Sequence, residues 1–144
     1  MILETATTKS LVENALAQIA PPQNIVVIDE TKEAPNFQVD IEKMSRGFVN
    51  IVKNAFDAMP DGGKLIIKSE EVGGFVVFSF KDSGNGMTPE MLGNLWTPLF
   101  TTKAKGMGFG LAICKRVVEA HTGKVSAESS IKKGTTIKVE FLLT

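Results

Sequence analysis

Three groups of residues in this chain could do chemistry. Asn50, Asn54 and Asp57 recur at intervals of four and three, so on a helix two amides and a carboxylate share one face and offer hard oxygen donors. Asp82-Ser83-Gly84-Asn85-Gly86-Met87 sets a carboxylate just before two glycines, where the backbone can turn sharply and a ligand can come close. Gly106, Gly108 and Gly110 stand ahead of an apolar run, and unhindered amides at a helix N-terminus suit phosphate oxygens, with Lys103 able to add a point charge. Each group alone also fits something plainer: a solvated helix face, an ordinary turn, a flexible linker. Two better-known phosphate motifs are excluded. A Walker loop needs glycine-lysine followed by serine or threonine, whereas Gly63-Lys64 is followed by Leu65 and Gly123-Lys124 by Val125. Asp82-Ser83-Gly84 has no His-Arg-Asp loop beside it, which removes the eukaryotic protein kinases.

The elements that must position these groups follow from periodicity and punctuation. Ser10 with Glu13 reads as a capping box, and Leu11, Ala15 and Ile19 carry a first helix over roughly Ser10 to Ala20, stopped by Pro21-Pro22. Asn24 to Asp29 is a first strand, and the polar stretch with Pro35 after it is a loop or sheet edge. Asp40 caps a long second helix whose Met44, Phe48, Ile51 and Ala55 form the packing face, while Arg46, Asn50, Asn54 and Asp57 form the displayed one. Lys64 to Ser69 and Phe75 to Asp82 form a hairpin with its turn over Glu70 to Gly74. Thr88-Pro89 starts a short helix, and Asn94 to Gly106, with little periodicity, reads as a mobile flap. Gly110 to His121 is an apolar helix closed by Gly123, and strands over Lys124 to Ser129 and Thr135 to Leu143 end the chain. About five strands and three substantial helices make a two-layer α/β sandwich the economical architecture.

Composition narrows the classes further. The chain has 144 residues with 43% hydrophobic content, enough for one compact domain over 1–144. Its 16 basic and 16 acidic residues cancel without a run of either sign, which removes the electrostatic reason to expect nucleic-acid or anionic-membrane contact. One cysteine, Cys114, and one histidine, His121, cannot build an ordinary zinc site, and a lone apolar-flanked thiol fits a reducing compartment. No segment has the length and apolarity to span a bilayer, so a soluble, cytoplasmic domain is expected.

Taken in order, Asn50-Ile51-Val52-Lys53-Asn54-Ala55, Asp82-Ser83-Gly84-Asn85-Gly86-Met87, Phe100-Thr101-Thr102-Lys103 and Gly106-Met107-Gly108-Phe109-Gly110-Leu111 resemble four motifs of one family. They are the N box, first glycine box, lid and second glycine box of the sensor histidine kinase ATP-binding domain. The resemblance runs from Leu11 to Leu143. It is best to nitrogen-regulation-type kinases, where a helix ending in Ala-Met-Pro-x-Gly-Gly, here Ala58 to Gly63, and a Phe-Thr-Thr-Lys lid are usual. The family implies a Bergerat fold, a mixed sheet of about five strands covered on one face by three helices, and it implies ATP and magnesium. Asn54 corresponds to the magnesium ligand, with Asn50 one turn earlier as a second candidate. Asp82 would accept a hydrogen bond from the exocyclic amino group of adenine, where guanine carries a carbonyl, so ATP is expected over GTP. Gly84, Gly86 and Met87 would border the base. Thr101, Thr102 and Lys103 belong to the lid, and Gly106, Met107, Gly108, Gly110 and Leu111 to the phosphate loop. The Thr135 hydroxyl would lie near Asp82.

The same resemblance implies partners. The phosphoacceptor histidine would sit on a helical domain absent from this chain, which would also supply dimerisation, and a response regulator would take the phosphoryl group afterwards. Departures are Asp57, where many relatives have lysine, Met107, where threonine is common, and Trp96, expected to pack the lid. His121 is read as a helix C-terminal dipole partner, not as the acceptor. Two rivals are an ATP hydrolase of the same superfamily, which would need a glutamate where Asn50 stands, and a nucleotide-sensing pseudo-kinase.

Overall fold

The computed structural model describes residues 1–97 and 110–143. In chain order the elements are β1 (Glu4–Thr7), α1 (Thr8–Leu16), β2 (Ile25–Glu30), β3 (Asn36–Val39), α2 (Ile41–Asp57), β4 (Gly63–Val72), β5 (Phe75–Asp82), α3 (Pro89–Gly93), α4 (Gly110–Ala120), β6 (Gly123–Ser130) and β7 (Gly134–Leu142). The main sheet has the order β2-β4-β5-β7-β6, with β2 and β4 parallel and the other neighbours antiparallel. A parallel pair needs a long crossover, and α2 supplies it. Helices pack on one face only, so the expected two-layer mixed α/β sandwich is what forms.

The core follows from α2. Met44, Phe48, Ile51 and Ala55 are all buried, and the Phe48 ring meets Phe78 and Phe80 edge-on at 5.0 and 5.1 Å between centroids. Phe78, Phe80, Ile137, Val139 and Phe141 alternate with outward residues on β5 and β7, which gives the sheet its single apolar face. α4 buries Leu111, Cys114 and Val118 beside α2, and Gly47 allows close approach: a β-carbon there would lie 3.4 Å from the Cys114 sulfur.

Several local expectations are corrected. The first helix begins at Thr8, because Thr7 is its cap: the Thr7 hydroxyl accepts the Ser10 N–H and the Ser10 hydroxyl accepts the Thr7 N–H, both at 3.0 Å. Ser10 is thus the third residue of the capping box rather than its first, and the helix stops at Leu16, short of Ala20. The hairpin turn is only Gly73-Gly74, both at positive φ, so β4 continues to Val72. The left-handed residue that closes α4 is Thr122, at φ 59°, while Gly123 already belongs to β6. A second, two-stranded sheet of β1 and β3 was unforeseen apart from the edge expected near Pro35. It pairs Ala6 with Phe37 and Glu4 with Val39, residues more than thirty apart whose pairing no local pattern announces.

Candidate functional site

The N-box face stands as the spacing requires. Asp40 caps α2 by accepting the Lys43 N–H at 3.0 Å, and its other oxygen accepts the Ile2 N–H at 3.0 Å. The bond from Lys43 and then that from Ile2 hold the Asp40 carboxyl below the usual carboxylate range. With the helix register set, Asn50 and Asn54 are half-buried and Asp57 is exposed as its last residue. Asn50 Nδ2 donates to the carbonyl of Gly110 at 3.2 Å, which joins the N box to the start of α4. Among the described residues no group donates to the Asn50 or Asn54 side-chain oxygen.

Asp82 ends β5 on the helix-covered face and is 4% exposed. Its Oδ1 accepts two backbone N–H groups, from Gly84 at 2.9 Å and Thr135 at 3.1 Å. Desolvation nevertheless dominates and pushes its carboxyl above the ordinary aspartate value, with these two bonds pulling the other way. Oδ2 receives no donor among the described residues, so the carboxylate is held by one oxygen and offers the other.

The first glycine box is clamped on both sides. Asn85 donates its N–H to the carbonyl of Ala58, the C-cap of α2, at 2.9 Å. On the other side Lys132 N–H reaches the Asn85 carbonyl at 2.7 Å, and Met87 N–H reaches the Ser129 hydroxyl at 2.8 Å. Gly86 makes the expected backbone turn, at positive φ, and both glycines meet a further demand that the sequence did not announce. A β-carbon on Gly84 would run into the Ala58 carbonyl, and one on Gly86, at φ +71°, into the Ser130 carbonyl. The protein's own backbone, packed this closely, is what demands glycine.

Thr135 is buried beside Asp82, but it touches the carboxylate through its backbone N–H and not through the hydroxyl the resemblance implied, which lies 2.8 Å from the Ser129 hydroxyl. Ser129 escaped the sequence reading. Its only signal was its place five residues before Gly134, where a tight turn brings two strands into register. Gly110 opens α4 beside Asn50, and the Leu111 side chain goes into the core. Thr101, Thr102, Lys103, Gly106, Met107 and Gly108, and most of the flap expected over Asn94 to Gly106, lie outside the described residues. Trp96 is half-buried against the core.

His121 is neither exposed nor charged in its bonding. Its Nε2 accepts the Asp40 N–H at 2.9 Å, and its Nδ1 lies 2.7 Å from the Val117 carbonyl, so the ring is the neutral Nδ1–H tautomer. The expected dipole partner at the end of α4 is thus a neutral ring that bridges to the cap of α2.

These residues fit a nucleotide and a hard cation. Asp82 Oδ2 and the side-chain oxygens of Asn50 and Asn54 are acceptors that receive no donor among the described residues, and Gly110 opens α4 next to Asn50. Among the described residues no group of three or more histidine, cysteine, aspartate or glutamate side chains could hold a metal alone, so a cation here would need ligand oxygens as well. Among the described residues no helix is long and apolar enough to cross a membrane.

The family described as histidine kinase-, DNA gyrase B-, and HSP90-like ATPase matches residues 39–144. Sporulation kinase C of Bacillus subtilis (strain 168) is 38% identical over 118 residues, covering 81% of this chain and 28% of that protein. Sensor histidine kinase ZraS of Escherichia coli (strain K12) is 36% identical over 102 residues, covering 71% of this chain and 22% of ZraS. The chain thus spans less than a third of the length of these relatives. The nucleotide-free catalytic domain of histidine kinase ThkA superposes with a TM-score of 0.85 at 27% identity, covering 100% of this chain and 97% of that one. With Asn50 bonded to the start of α4 above a five-stranded mixed sheet, the chain belongs to the histidine kinase-, DNA gyrase B- and HSP90-like ATPase family.

Proposed function

We propose that this chain binds magnesium-ATP and donates the γ-phosphoryl group to a histidine on a separate helical domain in two-component signalling. The observation that carries the reading is Asp82: a buried carboxylate fixed through Oδ1 by two backbone amides, with Oδ2 left to accept the exocyclic amino group of adenine. Asn54, with Asn50 as a second donor, would hold magnesium, which when bound neutralises phosphate charge. The Gly110 and Leu111 amides would face phosphate oxygens, and Lys103, Thr101, Thr102, Gly106, Met107 and Gly108 would close over them. The chain's own work is positioning: it seats the base and holds the phosphates, while acid-base chemistry belongs to the acceptor's domain. A response regulator would receive the group from that histidine. ThkA, for its part, has been solved in complex with a response regulator protein. A cytoplasmic setting, dimerisation through the helical domain, and no nucleic acid or direct membrane contact complete the reading.

Radiolabelled ATP tests it. The isolated chain should bind nucleotide without rapid hydrolysis, since the Asn50 amide is too weak a base to activate water and general-base catalysis contributes about 10²–10⁴-fold. With the helical domain added, acid-labile label should appear there, and Asn54→Ala should suppress it. Brisk phosphate release by the chain alone would favour a hydrolase, and inert mixtures a pseudo-kinase.

A further inference from the structure

We propose that Ser129 sets the polarity of the base pocket, holding the Thr135 hydroxyl as a fixed acceptor and so contributing to discrimination between an amino purine and an oxo purine. The inference rests on the nucleotide reading above and concerns a residue that reading does not use. Among the described residues Ser129 Oγ has three hydrogen-bonding neighbours: the Met87 nitrogen at 2.8 Å, the Gly134 carbonyl oxygen at 3.0 Å and Thr135 Oγ1 at 2.8 Å. A hydroxyl has one proton to give and two lone pairs to fill. The Met87 amide can only donate and the Gly134 carbonyl can only accept, so the Ser129 proton goes to Gly134. Thr135 must then donate to Ser129, because the reverse direction would leave the Ser129 and Gly134 oxygens facing each other with no proton between them.

The consequence lies one residue further on. With its only proton committed, Thr135 Oγ1 meets anything else as an acceptor. Its neighbour Asp82, whose Oδ1 takes the Thr135 N–H, is an acceptor as well. Asp82, Thr135 and Ser129 lie side by side at one end of β5, β7 and β6 on the helix-covered face, and Thr135 is 4% exposed, so bulk water does not average the polarity away. Two adjacent acceptors match a ligand edge that brings N–H donors, such as the amino group of adenine or a water it orients. They repel the carbonyl that guanine and hypoxanthine carry at the same place. Freed of Ser129, the Thr135 hydroxyl could turn and donate to that carbonyl.

Calorimetric titration of the whole chain with the magnesium complexes of ATP, GTP and inosine triphosphate tests this for the parent, Ser129→Ala, Ser129→Thr and Thr135→Val. Ser129→Ala should lower the ratio of ATP to GTP affinity by roughly tenfold, the scale of one reversed hydrogen bond, and Ser129→Thr should restore it. Thr135→Val keeps the backbone bond to Asp82 and should lose the same selectivity, which keeps the test open where Ser129→Ala does not fold. An equal weakening of all three nucleotides by Ser129→Ala would make Ser129 a mere strut for the Met87 loop and overturn the proposal, as would an unchanged ratio in both Ser129→Ala and Thr135→Val. A parent that binds none of the three would instead sink the nucleotide reading itself.

Discussion

Asp82 is under two opposed demands, since burial disfavours its charge while two backbone amides favour it, and burial prevails. A carboxyl whose folded value is raised contributes stability below the unfolded value and loses that contribution as pH rises through the folded one. Ionising this side chain therefore costs stability in the folded chain, a cost that fits the role proposed for it as acceptor of adenine's amino group. Asp82→Asn keeps an oxygen for Gly84 and Thr135 but turns a donor toward the base. The variant should melt no lower than the parent while binding ATP about 1–3 kcal/mol more weakly, readable by thermal unfolding and calorimetry. A lower melting point with intact ATP affinity would reassign Asp82 to the fold. Gly86 makes the opposite case. At φ +71° with the Ser130 carbonyl where a β-carbon would go, Gly86→Ala should cost roughly 2–4 kcal/mol in chemical denaturation and loosen the Met87 loop.

At the scale of elements, α2 organises the site from both ends. Its C-cap carbonyl holds the first glycine box through Asn85, its middle holds the start of α4 through Asn50, and its N-cap is tied to the end of α4 through His121. The α2–α4 contact therefore controls where Asn50 stands relative to Gly110 at the start of α4. Gly47 is the close point of that contact, and a β-carbon there would make ordinary contacts of 3.4 to 3.7 Å with Cys114. Gly47→Ala should gain about 0.5–1 kcal/mol from helix propensity. Gly47→Leu should lose about 1–3 kcal/mol by pushing the helices apart. Denaturant midpoints distinguish the two, and a loss on Gly47→Ala would contradict this account of the helix crossing.

For the whole molecule, the fully buried Cys114 reports on integrity. Burial pushes its thiol up to about 12, well above its value in the unfolded chain. The folded state therefore holds the proton more tightly, so this contribution is complete below the unfolded value of about 9 and fades as pH rises toward 12. Unfolding free energies from pH 7 to 10 should fall more steeply for the parent than for Cys114→Ala, whose other titrating groups are the same. Thiol labelling should be slow until the chain unfolds, and fast labelling under native conditions would contradict the packing of α4 on α2.

The sequence by itself determined the packing face of α2, the displayed asparagines, the order of the glycine boxes and the alternation of β5 and β7. Each is a local periodicity of 3.6 or 2, or a cap and turn signal a few residues long. The family resemblance added the ligand and the sheet with helices on one face. Only tertiary structure decided the rest. The β1–β3 sheet, the bridge from His121 to Asp40 across 81 residues, and the pairing of Asp82 with Thr135 all join groups distant along the chain. The glycines show the division most plainly. Their spacing is visible in one dimension, but the carbonyls of Ala58 and Ser130 that require them arrive from a helix end and a turn whose positions only the folded sheet defines.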